Sequence, residues 1–257
     1  IKTISAVNTR ALNFTIQAVG NVFYVFIAEQ TGIGTSALRL YQFPDTPQAA
    51  WPSSSTVSAA TFETLDSTVL GNDIYLADGI NIYKYATLTS TTTSAAAAGG
   101  NSVSINADTA ASVIYIAYAS GSNTLGYRTF STSLVAGTAA TTPTFYANNV
   151  QVTLAVSNGV GIICVARGSG PIYYCNFKAV GATEQLLPFR GSAGFLISKP
   201  YFLNGRVYST FCTLDQVQQT IFLCSFALTS AAATTVSNGC ITVKFAEGTA
   251  YQKLQAS

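Results

Sequence analysis

The chain has 257 residues and a formal net charge of +2, with charged residues at only 9 %, against roughly 25 % in an average soluble domain. Hydrophobic residues reach 49 %, but Ser, Thr, Gly and Asn interrupt them before any run attains the roughly 18 apolar residues of a membrane helix, so no membrane span is predicted. Lys and Arg are scattered singly, which argues against a nucleic-acid partner, and the absence of His excludes Ser-His-Asp and Cys-His nucleophile systems, haem His ligation and His-built metal sites.

Tyr (14) and Phe (15) stand beside many Val, Ile and Thr, while Met is absent. That mixture suits strands and disfavours helices. In chain order, five apolar alternating units follow one another. They are NVFYVFIAEQTGIGTSALRLYQF (21–43), NDIYLADGINIYKY (72–85), SVIYIAYASGSNTLGYRTF (112–130), GVGIICVARGSGPIYYCNF (159–177) and GRVYSTFCTLDQVQQTIFLCSF (205–226). Each closes on an aromatic: Phe43, Tyr85, Phe130, Phe177 and Phe226, spaced by 42, 45, 47 and 49 residues. An apolar stretch precedes each unit, at 14–20, 62–71, 103–109, 150–157 and 195–203. Turn pairs such as Asn72-Asp73, Asn158-Gly159 and Asn204-Gly205 then suit hairpins. A fourth, outer strand is expected after each closing aromatic, most clearly at 185–190.

A period of roughly 40 to 50 residues is that of a propeller blade. The predicted fold is therefore all-β: one domain over 1–257, a five-bladed β-propeller of four-stranded antiparallel blades. The blades fall roughly at 11–58, 59–100, 101–146, 147–192 and 193–239. Strands at 1–7 and 240–246 are expected to close the ring, removing an exposed sheet edge. A β-sandwich, jelly roll or β-helix with evenly spaced strands is the alternative. On these units the chain resembles β-propeller repeat proteins of the five-bladed type. The likeness runs nearly the whole length but carries no family-specific motif, lacking the Trp-Asp signature and the kelch double glycines. It implies an architecture shared by some lectins and some glycosidases.

Cys164 and Cys175 flank one predicted hairpin, and Cys212 and Cys224 flank the equivalent hairpin of the next unit. Repeat equivalence favours one cross-strand disulfide in each; four buried free thiols are the alternative. Cys240 is left over, buried or paired with another chain. No CxxC spacing exists, so neither a zinc site nor any other cofactor is expected. Five cysteines, a first residue Ile1 and no Met suggest the processed end of a secreted precursor. Asn13-Phe14-Thr15 is an N-glycan sequon. Stretches 87–101, 136–144 and 229–235 are Ser/Thr/Ala-rich and read as loops open to O-glycans.

Two chemistries compete with an inert reading. Glu63, Asp66 and Asp108 lie on predicted inner strands, where a glycosidase places its acid and its nucleophile or base. The plainer reading is isolated acids at strand ends. Tyr83, Tyr118, Tyr127 and Tyr173, with Trp51 in a loop, offer rings for sugar stacking; packing between blades is the plainer role. The scarcity of charge fits a chain covered by neighbours or glycans. The expected function is that of a secreted, non-catalytic structural subunit, self-associating into a homopolymer such as a fibril, sheath or coat. A carbohydrate-binding lectin is the second reading and a carboxylate-dependent glycosidase the third.

Overall fold

Alternation of apolar and polar residues sends successive side chains to opposite faces, which is the pattern of a strand packed on its neighbours. The computed structural model describes residues 10–32, 35–46, 52–58, 64–97, 102–120, 124–143, 148–157, 160–169, 172–179, 185–191, 195–197, 199, 201–203, 206–214, 219–227 and 239–244. The regular elements among them are all strands.

Five sheets follow in chain order. The first holds β1 (Arg10–Val19), β2 (Val22–Gly32), β3 (Thr35–Pro44) and β4 (Ser55–Ser58). The second holds β5 (Asp66–Leu70), β6 (Asp73–Ala77), β7 (Asn81–Ala86) and β8 (Thr91–Ala96). The third runs through β9 (Ser102–Asp108), β10 (Val113–Ser120), β11 (Thr124–Ser131) and β12 (Ala136–Pro143). The fourth comprises β13 (Asn148–Ser157), β14 (Val160–Ser169), β15 (Ile172–Ala179) and β16 (Gln185–Gly191). In the fifth, β17 (Phe195–Ile197) and β18 (Tyr201–Leu203) both pair with β19 (Arg206–Leu214), which leads to β20 (Gln219–Ala227) and β21 (Gly239–Lys244). Stretch 195–203 thus forms two short strands rather than one. Pro200, which has no backbone donor for a ladder, falls between them.

Along the hydrogen-bonded order of each sheet, counted from its leading strand, all five closing aromatics fall on the third strand. The outer strands expected after Tyr85 and Phe130 are β8 and β12, and they occupy stretches 91–96 and 136–143 that also read as loops open to O-glycans. Segment 240–246 begins within β21, on the edge of β20. Its expected partner, 1–7, lies outside the described residues.

The chain divides into two compact units, residues 1–118 with 128–138, and residues 119–127 with 139–257. Within the first, β1 packs on β5 and β5 on β9, so the leading strands of three sheets neighbour one another in turn. Within the second, β13 neighbours β17 and β18.

Packing in the first unit follows the period of two. On one face of the second sheet, Ile74, Leu76, Tyr83 and Tyr85 meet Tyr24, Phe26, Ala28, Leu38 and Leu40 of the first sheet. On its other face, Tyr75, Ala77 and Ile82 meet Ile105, Ile114, Ile116 and Phe130 of the third. Adjacent residues of β6 therefore serve two separate cores. The Phe26 and Tyr85 rings lie edge to face, centroids 5.9 Å apart, a favoured geometry for aromatic pairs.

Tight turns sit one residue earlier than the expected Asn72-Asp73. Leu70 and Asp73 are paired, leaving Gly71 and Asn72 as the turn, and Gly20 and Asn21 play the same part between β1 and β2. Gly71 adopts φ +62° and Gly20 φ +58°, a left-handed conformation that disfavours a Cβ. An added Cβ at Gly71 would meet nothing within 4 Å, so the penalty is that of the backbone alone. Gly71→Ala is expected to cost about 1 kcal/mol, read as a lower urea midpoint with unchanged slope. An unchanged midpoint would contradict the turn.

Candidate functional site

Of the predicted carboxylates, Asp66 and Asp108 each have a structural task. Asp66 opens β5. Its Oδ1 accepts the Ser67 backbone N–H (2.8 Å), and its Oδ2 accepts the Ser104 hydroxyl (2.8 Å) and the Ile105 N–H (2.9 Å) of β9. The side chain straps one sheet to the next. Neighbouring Ser67 makes the matching link to β1: the Gln17 amide donates to its carbonyl (3.0 Å) and hydroxyl (2.7 Å), and the Thr15 hydroxyl bonds the same oxygen. Asp108, the buried last residue of β9, accepts the Ala110 (3.0 Å) and Ala111 (3.2 Å) N–H groups and so shapes the turn to β10. Glu63 lies outside the described residues.

A further buried carboxylate, Asp78, lies outside the expected set. Buried Asp78 accepts the N–H groups of Ile80 (2.8 Å) and Asn81 (2.6 Å) through Oδ1 and the Tyr83 hydroxyl (2.8 Å) through Oδ2. Its sequence signal is the Asp78-Gly79 pair, typical of a turn whose side chain satisfies its own backbone. Glu29, buried on β2, accepts the Tyr41 hydroxyl (3.0 Å) and faces Arg39. Among the described residues, no group of three or more Cys, Asp or Glu is placed to hold a metal ion.

The tyrosines divide. Tyr83 and Tyr118 are buried in the two cores, and Tyr127 is half-buried. Tyr173 lies on β15 opposite Gly168 and Gly191, and Trp51 falls outside the described residues. Packing therefore claims the first two rings. Burial pushes the hydroxyls of Tyr24, Tyr75, Tyr83 and Tyr118 above the usual tyrosine range. A group whose folded pKa is raised gives stability that is complete below its unfolded value and lost as pH climbs through the folded one. The fold is thus expected to weaken above about pH 10. Tyrosinate absorbance should rise together with loss of β-sheet circular dichroism; ionisation of every tyrosine with the sheet signal intact would contradict the packing.

Asn13 sits on β1 beside an irregularity in the pairing with β2, and its Oδ1 accepts the Phe14 N–H (2.8 Å). The sequon is thus part of a paired strand. On the same strand Phe14 (62 % exposed) and Ile16 (51 %) stand out to solvent, with Phe23 (42 %) on β2. Phe14 and Ile16 face Ile27 and Val25 across the ladder, and Phe23 faces Ala18, so all three share one face.

The ladders also fix where the cysteines stand. Cys164 is opposite Phe177, and Cys175 opposite Ala166, two rungs away. Cys212 is opposite Ile221, and Cys224 opposite Ser209, three rungs away. Neither pair flanking a hairpin shares a rung.

Outer strands complete the surface. β4 (STVS), β8 (TTTSAA) and β12 (AGTAATTP) carry no charged residue, and β8 is exposed almost throughout.

No family model matches the chain, and no curated protein matches it in sequence. Solved structures do match in fold. The SapL1 lectin, in complex with alpha methyl fucoside, is 12 % identical with a TM-score of 0.53 over 91 % of this chain and 82 % of its own. Hydrazine synthase of Kuenenia stuttgartiensis is 10 % identical with a TM-score of 0.57 over 94 % of this chain and 68 % of its own. At such identities the likeness concerns the fold alone, an all-β, propeller-type array of four-stranded antiparallel sheets.

Proposed function

We propose that the chain is a secreted, non-catalytic propeller of five blades closed into a ring, and that it acts as a structural subunit self-associating into an extracellular polymer. The observation that carries this reading is the absence of charge on the outer strands β8 and β12. A terminal strand offers its backbone to any passing strand, and proteins that stay apart guard such edges with Lys, bulges or Pro. Here β8 carries neither charge nor proline, and β12 carries no charge, its single proline being its last residue, Pro143. The exposed apolar side chains of Phe14, Ile16 and Phe23 add a second sticky surface, and the low overall charge removes the repulsion that keeps monomers apart.

Negative-stain microscopy of the concentrated protein tests the reading. Rods or tubes are expected for the wild type. Thr92→Lys combined with Thr138→Lys, both at exposed positions of the outer strands, should disperse them. Particles that never polymerise overturn the proposal; polymers that survive both lysines remove its edge-pairing basis.

A second reading, glycan binding, draws support from the fold likeness to a lectin whose structure is in complex with a methyl fucoside. Titration with methyl fucoside tests it, and a featureless isotherm at millimolar sugar counts against it. A carboxylate glycosidase has less support, because Asp66 and Asp108 are occupied in holding backbone and neighbouring strands.

A further inference from the structure

The β20–β21 ladder sets Cys224 directly opposite Cys240. Facing residues of an antiparallel pair have Cα atoms about 4.5 or 5.5 Å apart, depending on the rung. Both values lie within the roughly 4.4–6.8 Å that a disulfide spans. The alternatives do not fit. Cys212 and Cys224 are three rungs apart, about 10 Å along the strand. Cys164 and Cys175 are two rungs apart and on different strands, which also exceeds the reach of about 7 Å.

We propose that Cys224 and Cys240 form a cross-strand disulfide that fastens the outer strand β21 to the fifth sheet. This goes beyond the functional reading and holds whether or not the chain polymerises. The oxidant is a small disulfide of the glutathione class. One cysteine thiolate attacks it and expels one glutathione thiol, leaving a mixed disulfide; the second cysteine thiolate then displaces the other glutathione. Two protein thiols lose two protons and two electrons, and the small disulfide is reduced to two thiols. The segment between β20 and β21 becomes a closed loop, which narrows the unfolded ensemble.

The chain's own cleavage sites make the test direct. No Lys or Arg lies between Arg206 and Lys244, and Asp215 separates Cys212 from Cys224. After air oxidation with glutathione disulfide, the unfolded, unreduced protein is alkylated and cut with trypsin and an Asp-directed protease. The peptide 207–214 should carry an alkylated Cys212. Peptide 215–244 should be unalkylated and lighter by two hydrogens than its reduced form. Further cleavage after Phe226 should give two pieces joined until reduction. A counting experiment gives an independent reading: Cys240→Ser should raise the free thiols by one, whereas Cys212→Ser should lower them by one. Alkylation of both Cys224 and Cys240, or a rise in free thiols for Cys212→Ser, overturns the proposal.

Discussion

Phe26→Ala is expected to lower the stability of the first unit by about 3–5 kcal/mol, the usual cost of removing a buried phenylalanine ring. Phe26 has no solvent exposure and lies between the first and second sheets with Leu38, Leu40, Leu76 and Tyr85. Strands from two sheets surround the ring, so neither can collapse into the space without distorting its own ladder. The loss is a large share of the roughly 5–15 kcal/mol that holds a typical domain together. Phe26→Leu keeps most of the volume and should cost less than half as much. Urea unfolding followed by circular dichroism measures both. A Phe26→Ala loss below about 1 kcal/mol, the range of an exposed substitution, would mean that the two sheets do not pack as described.

Asp66→Ala is the second large effect. It removes the acceptor that the Ile105 N–H and the Ser104 hydroxyl of β9 share, and the acceptor of the Ser67 N–H. A buried donor without a partner costs about 1–3 kcal/mol, more where the lost acceptor was charged. Amide exchange at Ile105 reports the break directly and should quicken by about ten- to a hundredfold if the strap opens with the strand. Asp66→Asn retains an acceptor oxygen and should fall between wild type and alanine. Catalytic duty would produce a different pattern: Asp66→Asn would fold normally and abolish glycoside hydrolysis.

The strand pattern was legible in the sequence because a period of two is local. Phe43, Tyr85, Phe130, Phe177 and Phe226 fall on equivalent strands for that reason. What depends on register or on a neighbouring sheet was not legible. The turn at Gly71-Asn72 differs by one residue from the expected pair, and a shift of one residue moves every side chain to the other face. Cysteine partners depend on the same register, so matching positions in consecutive units did not reveal the Cys224–Cys240 rung. Asp66 reads as a free inner-strand acid until β9 brings Ser104 and Ile105 to it from about forty residues away. Leu134 shows the same limit at a turn. It adopts φ +63° with its N–H on the Ser131 carbonyl, and its buried side chain in the core of the second and third sheets offsets that strained backbone.

The proposed function requires that copies of the chain join one another. Sedimentation velocity over a wide range of protein concentration tests it most directly. The uncharged outer strands β8 and β12 predict that the weight-average mass climbs with concentration, and that Thr92→Lys with Thr138→Lys holds it near 26.9 kDa. A wild-type mass that stays at that monomer value at every concentration would contradict the account.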